Sequence, residues 1–209
     1  MDEKSLLPAL WSDIISDITS VHDSNRDILP MSWYEIVMDS RIEQGDVFKD
    51  CQVVMPAYGC PFPRPKGNVP TIAAIVNIYD VVVLSQSCDL EQGKISHALV
   101  CPYSPISDLQ KIVARTLNPK ELKNAKKNIK EGKEHGFHML DRCSLPSFEF
   151  EPQVVGFRTV FSVPVVYLST LASSGSERLR LRSPYKEHLS QAFARFFMRV
   201  GLPQDIKID

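Results

Sequence analysis

Leu6, Leu7, Leu10, Ile14, Ile15 and Ile18 recur at helical spacing, which predicts an amphipathic helix near residues 5–20. A second short helix is expected over residues 32–40, after Pro30. Gly45-Asp46 then opens an apolar run over 47–55 that reads as a first strand. Residues 71–84 are dense in β-branched side chains and read as two strands or one bent strand; 95–103 reads as another. From 105 to 132 the pattern turns helical, with Asn118-Pro119 breaking it into two helices. Further strands are expected over 137–140, 154–161 and 163–168, and Arg178-Leu179-Arg180-Leu181-Arg182 alternates strictly, as a strand with one arginine face does. The last helix is the clearest element: Ser183 as N-cap, Pro184 at the first helical position, a stripe of Leu189, Ala192, Phe193, Phe196, Phe197 and Val200, and Gly201 with Pro203 as the stop.

The pattern is α+β, and 209 residues suit a single domain. Its expected parts are an N-terminal helical extension (1–42), barrel strands (43–104), a helical insertion (105–133), further strands (134–182) and a closing helix (183–201). Fifteen prolines against nine glycines argue for punctuated strands and loops rather than a bundle. Five of those prolines fall in residues 56–70, a long loop that also holds Cys60 and Arg64. Apolar runs such as Val81-Val82-Val83-Leu84 are far short of the roughly 20 residues of a membrane span, and the acidic start Met1-Asp2-Glu3-Lys4 lacks the form of a secretory signal. Five cysteines without framework spacing read as free thiols, so a cytoplasmic protein with no membrane contact is expected.

The formal charge of -1 is a cancellation. Residues 1–50 hold eleven acidic and four basic side chains, net -7, whereas residues 111–135 hold eight basic and three acidic ones, net +5. Lys120, Lys123, Lys127 and Lys130 lie along one helix face, and Arg178, Arg180 and Arg182 share one strand face. Together they form a candidate surface for a phosphate backbone of RNA or DNA. The plainer alternatives are a solvated helix for the lysines and pairing with the acidic N-terminal segment for the arginines. Phe137, Phe148, Phe150 and Phe157 are candidates for base stacking or for the core.

Ser85-Gln86-Ser87-Cys88-Asp89 follows the buried run and leads to a turn at Glu91-Gln92-Gly93-Lys94. A hairpin centred there sets Cys88 opposite His97, about 5 Å apart at Cβ, the geometry of an activated thiol; a packed strand cysteine is the alternative. Asp89 is a further candidate at the strand end. No C-x-x-C occurs, and His135 and His138 have only Cys143 nearby, so no metal and no cofactor is expected.

The order of these features resembles the MazF/PemK family of toxin ribonucleases over about residues 43–107. The shared elements are the glycine-aspartate opening at Gly45-Asp46, the strand Val82-Val83-Leu84-Ser85 and the strand end Cys101-Pro102-Tyr103-Ser104. Tyr79-Asp80 stands where that family has arginine-proline, and the nearest such step is Arg64-Pro65. The resemblance implies a small SH3-like β-barrel, or a strongly bent antiparallel sheet, in a bacterial protein. It also implies metal-independent RNA cleavage using the 2′-hydroxyl, with Arg64 stabilising phosphate charge and Ser104 and Asp89 assisting in positioning or proton transfer. The other expectation is a non-catalytic accessory subunit of a toxin–antitoxin or phage-defence operon, docking on a partner protein from that operon. A homodimer fits either.

Overall fold

The computed structural model describes residues 32–57, 74–113 and 116–198. Of the two units into which the chain divides, Met1–Met31 and Ser32–Asp209, only the second contains described residues. The helix expected near 5–20, Arg64 and the signals at Gly201 and Pro203 lie outside them.

The fold is α+β, built on an open antiparallel sheet. Its strands are β1 (Tyr34–Val37), β2 (Asp46–Pro56), β3 (Ala74–Val83), β4 (His97–Pro105), β5 (Phe137–Leu140), β8 (Gln153–Gly156), β9 (Phe161–Pro164) and β10 (Arg178–Leu181), while β6 (Cys143–Leu145) and β7 (Phe148–Phe150) form a separate hairpin. The order is β1-β10-β2-β3-β4-β8-β5, with β9 also on β4. Among the described residues no pair joins β1 to β5, so the sheet is not closed. β4 is shared: its first half pairs with β9, its last residues pair with β8, and Val100 faces both Val83 and Phe161.

Among the described residues five α-helices decorate the sheet: α1 (Ser87–Glu91), α2 (Leu109–Ile112), α3 (Pro119–Lys130), α4 (Val165–Ala172) and α5 (Tyr185–Phe197). The valine run of β3 is buried on both faces, which is why it reads as a continuous apolar block. Val82 and Leu84 enter the core that α5 covers with Leu189, while Val81 and Val83 enter the one that α4 covers with Leu168 and Ala172. A smaller cluster of Leu109, Ile129, Phe137 and Val154 seats α2 and α3.

Local signals explain several elements. α3 starts at a full capping box, with Glu121 N–H donating to Asn118 Oδ1 and Asn118 N–H to Glu121 Oε2, both at 2.9 Å, and with Pro119 in the first turn. Gly45 has φ +85°, and a Cβ there would stand 2.9 Å from the Leu181 Cβ, so only glycine lets β2 start this close to β10.

Three expected elements are corrected. Residues 32–40 form β1 rather than a helix, because Tyr34 to Val37 find a partner strand in β10. The stretch expected as a strand over 163–168 ends at Pro164 and continues as α4, whose Leu168 and Ala172 bury together. Residues 87–91 form α1 rather than a hairpin arm: Gln86 is extended, and Gly93, at φ +62°, turns the chain after the helix. The closing helix begins at Tyr185, one residue later than its proline signal suggests.

Candidate nucleic-acid interface

α3 presents Lys120, Lys123, Lys127 and Lys130 to solvent while Leu122, Ala125 and Ile129 pack inward. Amphipathic spacing fixes this division, since positions three and four apart share a face. Lys127 lies 3.8 Å from Glu131 at the helix end. Among the described residues Lys120, Lys123 and Lys130 have no ion pair. This is a row of point charges along roughly three helical turns, three of the four without an ion pair among the described residues.

The arginine face is corrected. Arg178 and Arg180 are buried and already neutralised. Asp46, at 0% exposure, accepts from Arg178 Nε at 3.2 Å and from Arg180 Nη2 at 3.0 Å, and also from the Glu43 N–H at 3.0 Å. Arg180 Nη1 reaches Glu43 at 2.9 Å, and Arg178 Nη2 reaches Asp39 at 2.9 Å. Main-chain carbonyls of Arg41 and Asp39 accept further guanidinium N–H groups. Part of the acidic N-terminal segment therefore folds over this strand, and no phosphate is needed to satisfy it. Partial burial pushes the Asp39 carboxyl up, but the Arg178 hydrogen bond and the charges of Arg180 and Arg178 outweigh it and hold it below the usual range. Burial likewise lowers Arg180, and Asp46, Glu43 and Asp39 more than restore it. Arg182 is exposed just past β10, apart from the buried pair.

The strand end after β3 is tied down by hydrogen bonds. Ser85 Oγ accepts from Leu99 N–H at 2.8 Å, Ser87 Oγ accepts from Gln44 N–H at 3.1 Å, and Gln44 Nε2 donates to the Leu84 carbonyl at 2.7 Å. Both hydroxyls thus shape the turn. The pairing of Cys88 with His97 is corrected, since α1 removes the strand register that it needs. Cys88 Sγ lies 3.7 Å from Gln86 Oε1 and 3.8 Å from Asp89 Oδ1, while His97 Nδ1 meets Ser96 Oγ at 3.1 Å. Asp89 pairs with Lys94 at 3.8 Å.

Ser104 sits near the far end of β4, opposite Val154. Seven residues of strand separate it from His97, on the order of 20 Å. Asp89, beside the start of β4, and Ser104 are therefore not brought together.

Of the candidate aromatics, Phe137 and Phe157 are core. Phe148 and Phe150 line an open cleft of about 320 Å³ with Tyr103 and Asp50, and Lys49 Nζ stands 5.6 Å over the Phe148 ring. This cleft was not legible in the sequence, because the β6–β7 hairpin that carries both rings gave no strong period. Burial, with smaller effects from Asp80 and Asp50, pushes the Tyr103 phenol up, so it is a neutral donor. Burial also pushes the Cys101 thiol up to about 12 against a hydrogen bond to Gly156, which leaves it unreactive. Among the described residues no three His, Cys, Asp or Glu side chains converge to hold a metal ion. No helix among them is long and apolar enough to cross a membrane.

No family model matches the chain, and no curated protein matches it.

Proposed function

We propose that the chain is a nucleic-acid-binding protein whose contact surface is the lysine face of α3. The single observation that carries this is the exposure of Lys120, Lys123, Lys127 and Lys130 on one face, three of them without an ion pair among the described residues. Lysines of this kind supply point charge to phosphates and read no bases, so the contact is strong, salt-dependent and tolerant of sequence. Relating the core to small barrels of the MazF/PemK type rests on the resemblance over about residues 43–107. Of the residues that the resemblance points to for cleavage, Asp89 and Ser104 stand at opposite ends of β4 and Arg64 lies outside the described residues, so the proposal is one of binding.

The test is anisotropy of a labelled random RNA pool across a salt series. Replacing all four lysines by glutamine is expected to weaken binding at least tenfold and to flatten the salt slope by about 3, at about 0.7 per phosphate contact for single strands. Equal affinity and slope in the variant sink the proposal.

A second reading, a docking module for a partner protein, rests on one face of the β2–β3 ribbon. Val54, Val76 and Ile78 are 66%, 55% and 61% exposed there, and Val54 pairs directly with Val76. Replacing Val54 and Ile78 by lysine is expected to abolish self-association or co-purification of a neighbour-encoded protein, read by light scattering and pull-down, while RNA binding persists. Persisting assembly in that variant removes this reading.

A further inference from the structure

A second cationic feature lies where the C-terminal end of α3 approaches β5 and α5. The pocket there, about 260 Å³, is lined by Lys130, His135, His138, His188, Gln191 and Arg195 among others. It is smaller than the roughly 300–1,000 Å³ of a drug-sized ligand's cleft, a size that suits a charged group rather than a stretch of polymer.

Its floor holds an unmet demand. The His138 ring stacks at 6.4 Å on Phe157, and its Nε2 is buried with no hydrogen-bond partner among the described residues. An orphaned buried polar atom costs about 1–3 kcal/mol, which a ligand oxygen at that position would recover. Burial pushes His138 down to about 4, and His188 and Arg195 push the same way, so the ring stays neutral in electropositive surroundings.

The charges around it leave a surplus of donors. Lys130 has no ion pair among the described residues, and Arg195 Nη2 is steadied by Gln191 Oε1 at 3.3 Å. Among the described residues Glu131 is the one carboxylate in the lining, and Lys133 at 2.6 Å and Lys127 at 3.8 Å already occupy it. The hydrogen bond from Lys133 holds that carboxyl below its usual range. Arg158, just beyond the rim, pairs with Glu134 at 3.9 Å. The α3 C-terminus adds few free acceptors, because the carbonyls of Lys127, Asn128 and Ile129 receive N–H groups from Glu131, Lys133 and Gly132.

We infer that this pocket binds a phosphate monoester, through Lys130 and Arg195 at its mouth and the imidazoles of His135, His138 and His188 as further donors. A phosphoryl group matches a fork of guanidinium donors, a point charge and several neutral N–H groups. The pocket carries this independently of the nucleic-acid reading, although Lys130 belongs to both surfaces.

The experiment follows histidine ring nitrogens by long-range proton–nitrogen NMR while inorganic phosphate, 5′-AMP or adenosine is added to the full chain. Phosphate and 5′-AMP are expected to move the His138 and His188 ring signals and adenosine to leave them in place. Lys130→Gln and Arg195→Gln, both at exposed positions, are each expected to weaken the phosphate effect about tenfold. An oligonucleotide with and without a 5′-phosphate separates the two sources: a preference for the phosphorylated form assigns the site to a nucleic-acid end, and equal affinity with 5′-AMP still moving the rings assigns it to a free nucleotide. Ring signals that ignore phosphate and 5′-AMP, or that move equally in both variants, overturn the inference. Replacing Lys120 and Lys123 alone is expected to lower RNA affinity without touching the phosphate shifts, so failure at either surface is seen separately.

Discussion

Asp46→Asn is the most informative single substitution in this protein. It preserves volume and removes one negative charge from a carboxylate at 0% exposure that serves two buried guanidinium groups. The new amide turns an NH2 donor toward groups that are donors themselves. Breaking a buried charge network on one side costs about 3–5 kcal/mol, because two buried guanidinium groups lose their fully buried counter-charge and keep only the more exposed Asp39 and Glu43. For a chain of this size that lowers the melting temperature by on the order of 10 °C. Asp39 provides the internal control: it bonds the same Arg178 at 2.9 Å, but its side chain is 49% exposed, and Asp39→Asn is expected to cost about 1 kcal/mol or less. Urea unfolding with an unchanged slope gives both numbers directly. If Asp46→Asn costs no more than Asp39→Asn, the network is not what fastens β10 to β2.

Acid sensitivity is expected from His138. Its folded value, about 4, lies below the ordinary histidine value, so the unfolded chain binds the extra proton first and stability is lost as the pH falls from about 6.5 toward 4. Unfolding free energies from urea titration should fall by about 2 kcal/mol more between pH ~7 and pH ~5 in the native protein than in His138→Phe; equal losses would remove His138 as the cause. In α4, Leu168→Ala deletes a fully buried side chain and is expected to cost about 2–5 kcal/mol, whereas Val166→Ala, at 73% exposure two residues away, should stay within about 0.5. Thermal melts of the two distinguish a packed helix from a surface strand, and equal effects would contradict the burial of α4.

What was legible in the sequence follows how local each decision is. β5 matches its expected bounds, and α3 follows directly from Asn118-Pro119, because capping and helical spacing are settled within a few residues. The valine block of β3 was readable for the same reason. β1 was not, since its strand form depends on β10, whose partner residues lie about 140 positions away in the chain. α4 begins Val165-Val166-Tyr167-Leu168, a β-rich composition that burial of Leu168 and Ala172 overrides. The alternation in Arg178 to Leu181 correctly gave a strand, but it left open whether the arginines face a phosphate or pair with the acidic N-terminal segment, because nothing local shows that Asp39, Glu43 and Asp46 cover them. His135 and His138 were visible as residues and were set against a metal template, while His188 drew no attention. Their common setting is made by α3, β5 and α5 together, which no spacing rule reports.

The place of β10, inserted between β1 and β2, has a consequence for the chain as it is made. Asp46 and its partner Arg180 are 134 residues apart, so at ribosomal speeds of about 5–20 residues per second β2 waits on the order of ten seconds for its neighbour. Through that interval the carboxylates of Asp39, Glu43 and Asp46 face water, and one side of β2 is an unpaired edge. The strand that completes the sheet is also the one that discharges those acids, so emergence of Arg178 and Arg180 acts as the latch that ends the nascent chain's exposure.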